Sequence, residues 1–280
     1  MIADANWDIE RHHSSPGLRK NVATTVASES MKQHRVLCGA RLLVAGILLS
    51  LAAEAIAGPP FLTDDPEPTE AGHWELYAPF TEAAGKGAEF DGSTGVEINY
   101  GAAPDLQLTL GVPIAYSHDA GGWRSGVGDL EASAKYRFFH DMRAGVQVAA
   151  FPGLSLPTAR RGFGAGHVTG FLPVWAQLDR GKWGLFGGGG YAINPGAGNR
   201  DFWTGGIAAT RHVTERLLVG IEADRQGADR VGGSGSTALG AGAILQLRQP
   251  LRLLASGGPT FDNAGGKAGF HAYLALGVDY

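Results

Sequence analysis

Charged and amide side chains recur at alternate positions of otherwise apolar segments: Glu75, Glu97, Glu131, Lys135, Arg137, Gln147, Glu222 and Asp224. Side chains of these types, brought to line one polar path, select solutes by charge. The same set could instead be a structural charge network filling a closed interior, and both readings stand at this point. Six histidines follow position 57 (His73, His118, His140, His167, His212 and His271), and none pairs with another at the i, i+4 spacing of a helical zinc site. No metal site and no cofactor is therefore expected. Ser155 and His167 flank one long loop and Ser117 adjoins His118, but neither pair sits in a nucleophile motif. Gly187 to Gly190 lacks the Lys-Ser/Thr that completes a phosphate loop and precedes no helix. The acidic run Asp64, Asp65, Glu67 is interrupted by Pro66 and Pro68 and lacks calcium-loop spacing.

The elements that position these residues follow from composition and periodicity. With 23 Lys+Arg against 27 Asp+Glu, the net charge of -4 leaves no basic surplus for neutralising phosphates, so no nucleic-acid partner is expected. Disorder is excluded by 44% hydrophobic against 18% charged residues. Glycine, 44 of 280 residues, is about twice ordinary usage.

The chain divides into an export leader and one large domain. Lys32, Arg35 and Arg41 precede an apolar run from Leu42 to Ala53 that ends in Ala55-Ile56-Ala57. This is the pattern of a signal peptide over residues 31–57, cleaved between Ala57 and Gly58, with 1–30 a misassigned upstream start. A run so short does not span a bilayer core, which takes about 20 helical residues. Cys38, the one cysteine, leaves with the leader, and disulfide and thiol chemistry leave with it. Residues 58–72 contain four prolines with Asp64, Asp65, Glu67 and Glu70, and read as a solvated periplasmic lead-in.

From residue 73 to the end the pattern has period two. Leu106, Leu108, Leu110, Val112, Ile114 and Tyr116 share one face, opposite Asp105, Gln107, Thr109 and Gly111. Twelve such segments occur, at 73–82, 94–101, 105–117, 127–139, 143–156, 167–178, 182–193, 202–211, 216–226, 236–248, 251–261 and 268–280. Short connections alternate with longer, glycine-rich ones. That asymmetry, an even count and segment lengths near the 9–11 residues of a tilted spanning strand predict an all-β transmembrane antiparallel barrel of about twelve strands. A soluble sandwich would not need segments so long. Closure is required because an unpaired edge in hydrocarbon costs several kcal/mol per group. Phe270, Leu274, Leu276, Val278 and the terminal Tyr280 form one face of the last strand, with Tyr280 in the interfacial aromatic belt.

The stretches PFLTDDPEPTEAGHWEL (60–76), VEINYGAAPDLQLTL (96–110), GDLEASAKYRF (128–138), FLPVWAQ (171–177) and GGGGY (187–191) resemble the family labelled "meta-pathway of phenol degradation". The resemblance covers most of the exported chain and implies an outer-membrane barrel transporter, without a catalytic motif. The expected function is passive passage of small, hydrophobic or aromatic molecules, with outer-membrane lipid, a small-molecule solute and the barrel-assembly machinery as partners. Motor-coupled uptake is not expected, because the chain leaves no room for a plug domain. The alternatives are a non-conducting structural or surface-interaction barrel and, third, an outer-membrane lipid hydrolase.

Overall fold

The computed structural model describes residues 60–84, 90–265 and 268–280; the start at Met31, the leader 31–57 and the cleavage between Ala57 and Gly58 lie outside them. The strands are β1 Trp74–Ala84, β2 Phe90–Ala103, β3 Leu106–Asp119, β4 Gly122–Val127, β5 Leu130–Asp141, β6 Val146–Ala150, β7 Gly153–Leu156, β8 Thr169–Arg180, β9 Trp183–Ile193, β10 Phe202–His212, β11 Leu217–Gln226, β12 Ser236–Arg248, β13 Leu251–Asp262 and β14 Ala268–Asp279. All pair antiparallel in a single sheet. Because β1 also pairs with β14, from Glu75 opposite Asp279 to Ala84 opposite Phe270, the sheet closes and no wall-length edge remains.

The wall has twelve positions, since two of them hold two pieces each. β4 and β5 both pair with β3 and are separated by Gly128-Asp129, opposite Pro113, which has no N–H to give. β6 and β7 both lie between β5 and β8 and are separated by Phe151-Pro152. The segments expected at 127–139 and 143–156 are thus wall strands interrupted at a proline on or beside them. His118 to Gly126, expected as a long loop, is mostly ladder: β3 and β4 turn at Ala120-Gly121, and Trp123 packs 4.8 Å from the His118 ring.

Alternation assigns the two faces. Leu108, Leu110, Val112 and Ile114 are each about two-fifths exposed on the outer surface, while Gln107 and Thr109 between them are buried inside. Aromatic pairs mark both ends of this apolar band. Trp74 stacks on Tyr100 at 4.3 Å near the short turns, and Tyr191 meets Trp203 edge-on at 5.3 Å near the long loops. An outer surface so apolar is the one hydrocarbon solvates, which makes these strands membrane-spanning.

Arg252 ties the closing seam from inside. Its guanidinium reaches Asp279 of β14 at 2.9 Å and Glu75 of β1 at 3.2 Å, and donates to the Tyr77 hydroxyl. Beside it, Trp74 and Tyr280 exchange backbone hydrogen bonds, each 2.8 Å. Arg252→Gln should destabilise the barrel by about 1–2 kcal/mol, since these charged hydrogen bonds are partly solvent-screened. A lower temperature of conversion from the fast-migrating folded band to the unfolded band would register the loss; an unchanged temperature would show that the seam does not depend on it.

Candidate functional site

The barrel interior holds every residue of the set assigned to it from alternation. Register places Glu75 on β1, Glu97 on β2, Glu131, Lys135 and Arg137 on β5, Gln147 on β6, and Glu222 and Asp224 on β11, all on the inner face. The structure does not gather them into one ring. Arg137 binds Asp105 at 2.7 Å and Gln147 at 2.6 Å near the short turns. Asp105 can receive it because it turns the chain between β2 and β3 with φ 64°, a left-handed conformation aspartate tolerates. Glu222 and Asp224 stand across the bore, opposite Ala208 and Gly206 of β10. On the outer face of β14, Phe270, Leu274, Leu276 and Tyr280 are exposed, with Val278 between Leu276 and Tyr280.

The lead-in is where the structure departs from expectation. Residues 60–70, expected as a solvated periplasmic segment, cross the bore: Phe61, Thr63, Asp64, Pro66 and Thr69 are buried, Thr63 and Asp64 completely. At one wall the Thr69 N–H and hydroxyl donate to Gln107 Oε1 at 2.8 and 3.1 Å. In the middle Lys135 Nζ donates to Asp64 Oδ1 at 3.0 Å and lies 3.6 Å from Asp65. At the opposite wall the Thr63 N–H donates to Glu222 Oε2 at 3.0 Å, Phe61 meets Phe186 with ring centroids 6.0 Å apart, and the Ser256 hydroxyl donates to the Pro60 carbonyl. The physical reason is that a barrel interior is a polar solvent too, so proline and carboxylates suit it as well as they suit water. The expectation that no plug is present is corrected to that extent.

Electrostatics at the crossing are set by burial. Desolvation pushes the Asp64 carboxyl up to about 7, with the Lys135 charge pulling it partly back. Glu67 is raised as well, first by burial and then by the neighbouring Asp65 charge.

Beneath this segment lies a chamber of about 850 Å³ that reaches the short-turn mouth. Its lining has more carboxylates (Asp65, Glu67, Glu70, Glu75, Glu97, Asp179, Glu215, Asp279) than cations (Lys135, Lys182, Arg216, Arg252). Sequence reasoning placed Gln107 and Thr109 on the polar face without singling them out as site residues and missed Asn99; the three form a buried hydrogen-bonded trio (Gln107 to Asn99 3.0 Å, Gln107 to Thr109 2.9 Å) that the same alternation turns inward. It also missed Phe151, Phe171, Trp175 and Phe202, which pack together on the inner face. In Phe171 to Ala176 both faces are apolar, so periodicity alone gives no direction.

Ser117 and His118 are consecutive on β3 and so point to opposite faces. His167 Nε2 is buried without a hydrogen-bond partner. Among the described residues no group of three or more His, Cys, Asp or Glu could hold a metal ion.

The family model described as "Putative MetA-pathway of phenol degradation" matches residues 80–275. The COG4313 outer membrane channel from Pseudomonas putida F1 is similar in fold, with a TM-score of 0.59 at 18% identity over 80% of this chain and 100% of that one. The NanC porin is similar with a TM-score of 0.52 at 6% identity, over 73% of this chain and 98% of that one. No functionally curated protein matches the sequence.

Proposed function

Because this chain belongs to the family of the MetA-pathway of phenol degradation, we propose that it is an outer-membrane barrel through which small solutes pass passively. The observation that supports this reading is the chamber of about 850 Å³, polar-lined and open to the short-turn mouth. A barrel whose interior were packed solely for stability would have no use for a cavity of that size. Two barrels of similar fold, an outer membrane channel and a porin, agree with the reading. Membership of this family is what supports small hydrophobic or aromatic molecules as the solutes. The outward face of Phe270, Leu274, Leu276, Val278 and Tyr280 would engage outer-membrane lipid and, during insertion, the assembly machinery.

Current through planar bilayers, from protein whose faster migration before boiling demonstrates a folded barrel, tests the proposal. A folded barrel that passes neither ions nor radiolabelled aromatic acids would refute it. The second reading, a non-conducting structural barrel, is favoured by one observation, the segment that crosses the bore.

The acidic surplus of the chamber sets the sign of selectivity. Fixed negative charge concentrates cations at a confined mouth. Reversal potentials in a salt gradient should show cation preference, and Glu97→Gln with Asp179→Asn should reduce the permeability ratio by about twofold or more, as expected when ring charges that raise local counter-ion concentration are removed. Anion preference in the unmodified protein would show that the chamber charges do not govern permeation.

A further inference from the structure

Arg225 faces the membrane. Glu222 and Asp224 take the inner face of β11, so parity turns Ile221, Ala223 and Arg225 outward, and Ile221 is 65% exposed there. Arg225 is itself exposed and stands opposite Gly205 of β10 and Thr237 of β12. Its guanidinium makes no ion pair, side-chain hydrogen bond or ring contact with any described residue. Arg211 of β10, outward near the short turns, is provided for differently, since it lies 5.0 Å over the Trp183 ring. A cation turned toward acyl chains with no anion beside it is unfavourable, and the cost falls only where the side chain reaches the headgroup layer. Arg225 does reach it. Trp203, 69% exposed in the aromatic belt, is two residues nearer the long loops than Gly205, about 7 Å along a strand, which an extended arginine covers.

The wall beside Arg225 is bare of side chains. Gly205 pairs with Gly189 of β9, and Gly187 is an adjacent outward position of the same strand. A Cβ at Gly205 would fall 2.3 Å from the Gly188 carbonyl oxygen, one at Gly189 2.4 Å from that of Thr204, and one at Gly187 2.6 Å from that of Gly206. All three obstacles are backbone, so the approach of β9 to β10 itself keeps side chains out and leaves a shallow depression. Tyr191 and Trp203 bound it toward the long loops and Ile207, opposite Gly187, bounds it below. Arg225 stands at its edge. A second cation, Arg200, lies above: its N–H donates to the Asp229 carbonyl at 2.8 Å, the next residue, Asp201, accepts from the Tyr191 hydroxyl at 3.2 Å, and the Arg200 charge acts on that hydroxyl.

We propose that Arg225, with Arg200 above it, binds a phosphate of the phosphorylated glycolipid of the outer leaflet, and that an acyl chain of that lipid lies in the glycine depression. Position and charge commit the surface to this occupant. The long loops mark the outer side of a bacterial barrel, so the site is at outer-leaflet depth, where the phosphate-bearing lipid of a Gram-negative cell is a glycolipid. Phosphate oxygens accept the parallel N–H groups of a guanidinium, which supplies the anion that Arg225 lacks within the chain. The exposed Trp203 and Tyr191 rings sit at the depth of the headgroup. The site is on the outside of the wall and is independent of whether the bore conducts.

Native mass spectrometry of the folded barrel in detergent tests this, with bis-phosphorylated lipid A, dephosphorylated lipid A and phosphatidylglycerol as the added probes. The unmodified chain is compared with Arg225→Gln and with Arg211→Gln, each shown beforehand to migrate faster unboiled than boiled. The unmodified chain is expected to bind bis-phosphorylated lipid A about tenfold more tightly than the dephosphorylated form, the scale of one charge-assisted contact. Arg225→Gln should lose that preference and Arg211→Gln should keep it. Equal binding of the two lipid A forms by the unmodified chain overturns the site without recourse to any substitution. An Arg225→Gln protein that retains the preference overturns it too, and so does an equal loss in Arg211→Gln, which would mean that net charge alone draws the lipid. Phosphatidylglycerol bound as tightly as lipid A overturns the assignment to the glycolipid.

Discussion

Replacing Lys135 with methionine releases the lead-in from the barrel interior. Asp64 is completely buried and its only charged hydrogen-bond donor is Lys135 at 3.0 Å. Removing one partner of a buried pair typically costs about 3–5 kcal/mol, because the other charge stays desolvated. At the lower figure the ratio of docked to undocked lead-in falls by roughly a hundredfold. Thr63→Cys, in a Cys38→Ser background, reports this directly: a maleimide should label it slowly when Lys135 is present and about a hundred times faster in Lys135→Met, as that equilibrium implies. Equal labelling rates would mean that the lead-in is held by its other contacts, those to Gln107, Glu222, Ser256 and Phe186.

The same experiment has a pH dependence of defined sign. Burial raises the Asp64 carboxyl to about 7 when docked, above its solvated value of about 4. The docked form therefore binds the proton more tightly, so docking strengthens as pH falls from about 7 toward about 4 and does not depend on this group above that range. Glu67, also raised, acts in the same direction. Relative to an exposed cysteine measured at the same pH, which corrects for the falling thiolate fraction, labelling of Thr63→Cys should slow between pH 8 and pH 5.5, and the penalty of Lys135→Met should shrink over the same interval, because a protonated Asp64 needs no cation. Faster labelling at low pH would mean that the ion pair, and not desolvation, dominates the docked carboxylate.

Gly190→Val should prevent the barrel from forming. Gly190 lies opposite Pro173 on the inner face of β9, and a Cβ there would stand 2.3 Å from the Leu172 carbonyl oxygen and 2.5 Å from the Pro173 Cα. Both are backbone atoms, so no side-chain rotation relieves the clash. Separating β8 from β9 would break ladder hydrogen bonds, each of which is obligatory in hydrocarbon and costs several kcal/mol when unmade. The folded, fast-migrating band should be almost absent after refolding in detergent. Gly170→Ala is the control, because its nearest neighbour, Leu154 Cδ2 at 3.5 Å, is at ordinary contact distance. A Gly190→Val protein that folds as well as the control would show that these two strands can part locally.

The glycine run itself separates what local sequence tells from what it leaves open. Its length and lack of a following Lys-Ser/Thr are enough to reject a phosphate loop and place it in a strand. Which of the four faces inward, and that Gly188 and Gly190 meet Trp175 and Pro173 there, depends on the register with β8. Arg252 shows the same limit from another side. It lies in Leu251 to Leu254, where apolar residues fall on both faces, and only the pairing of β13 with β14 turns it inward to the seam.

By itself the sequence determined the barrel, because a strand that separates two solvents must alternate. Twelve alternating segments with short and long connections in turn leave no other closed arrangement, and the inward direction of Glu97, Lys135 and Glu222 follows from the same parity. Tertiary structure decided where the lead-in goes and what touches it. Asp64 and Lys135 are 71 residues apart, and no local pattern distinguishes a Pro-rich acidic segment in water from one in a polar lumen. Only closure of β1 on β14 creates an interior, and only then do the paired Gly220 and Gly242 leave room for Phe61, and Gly206 for Thr63.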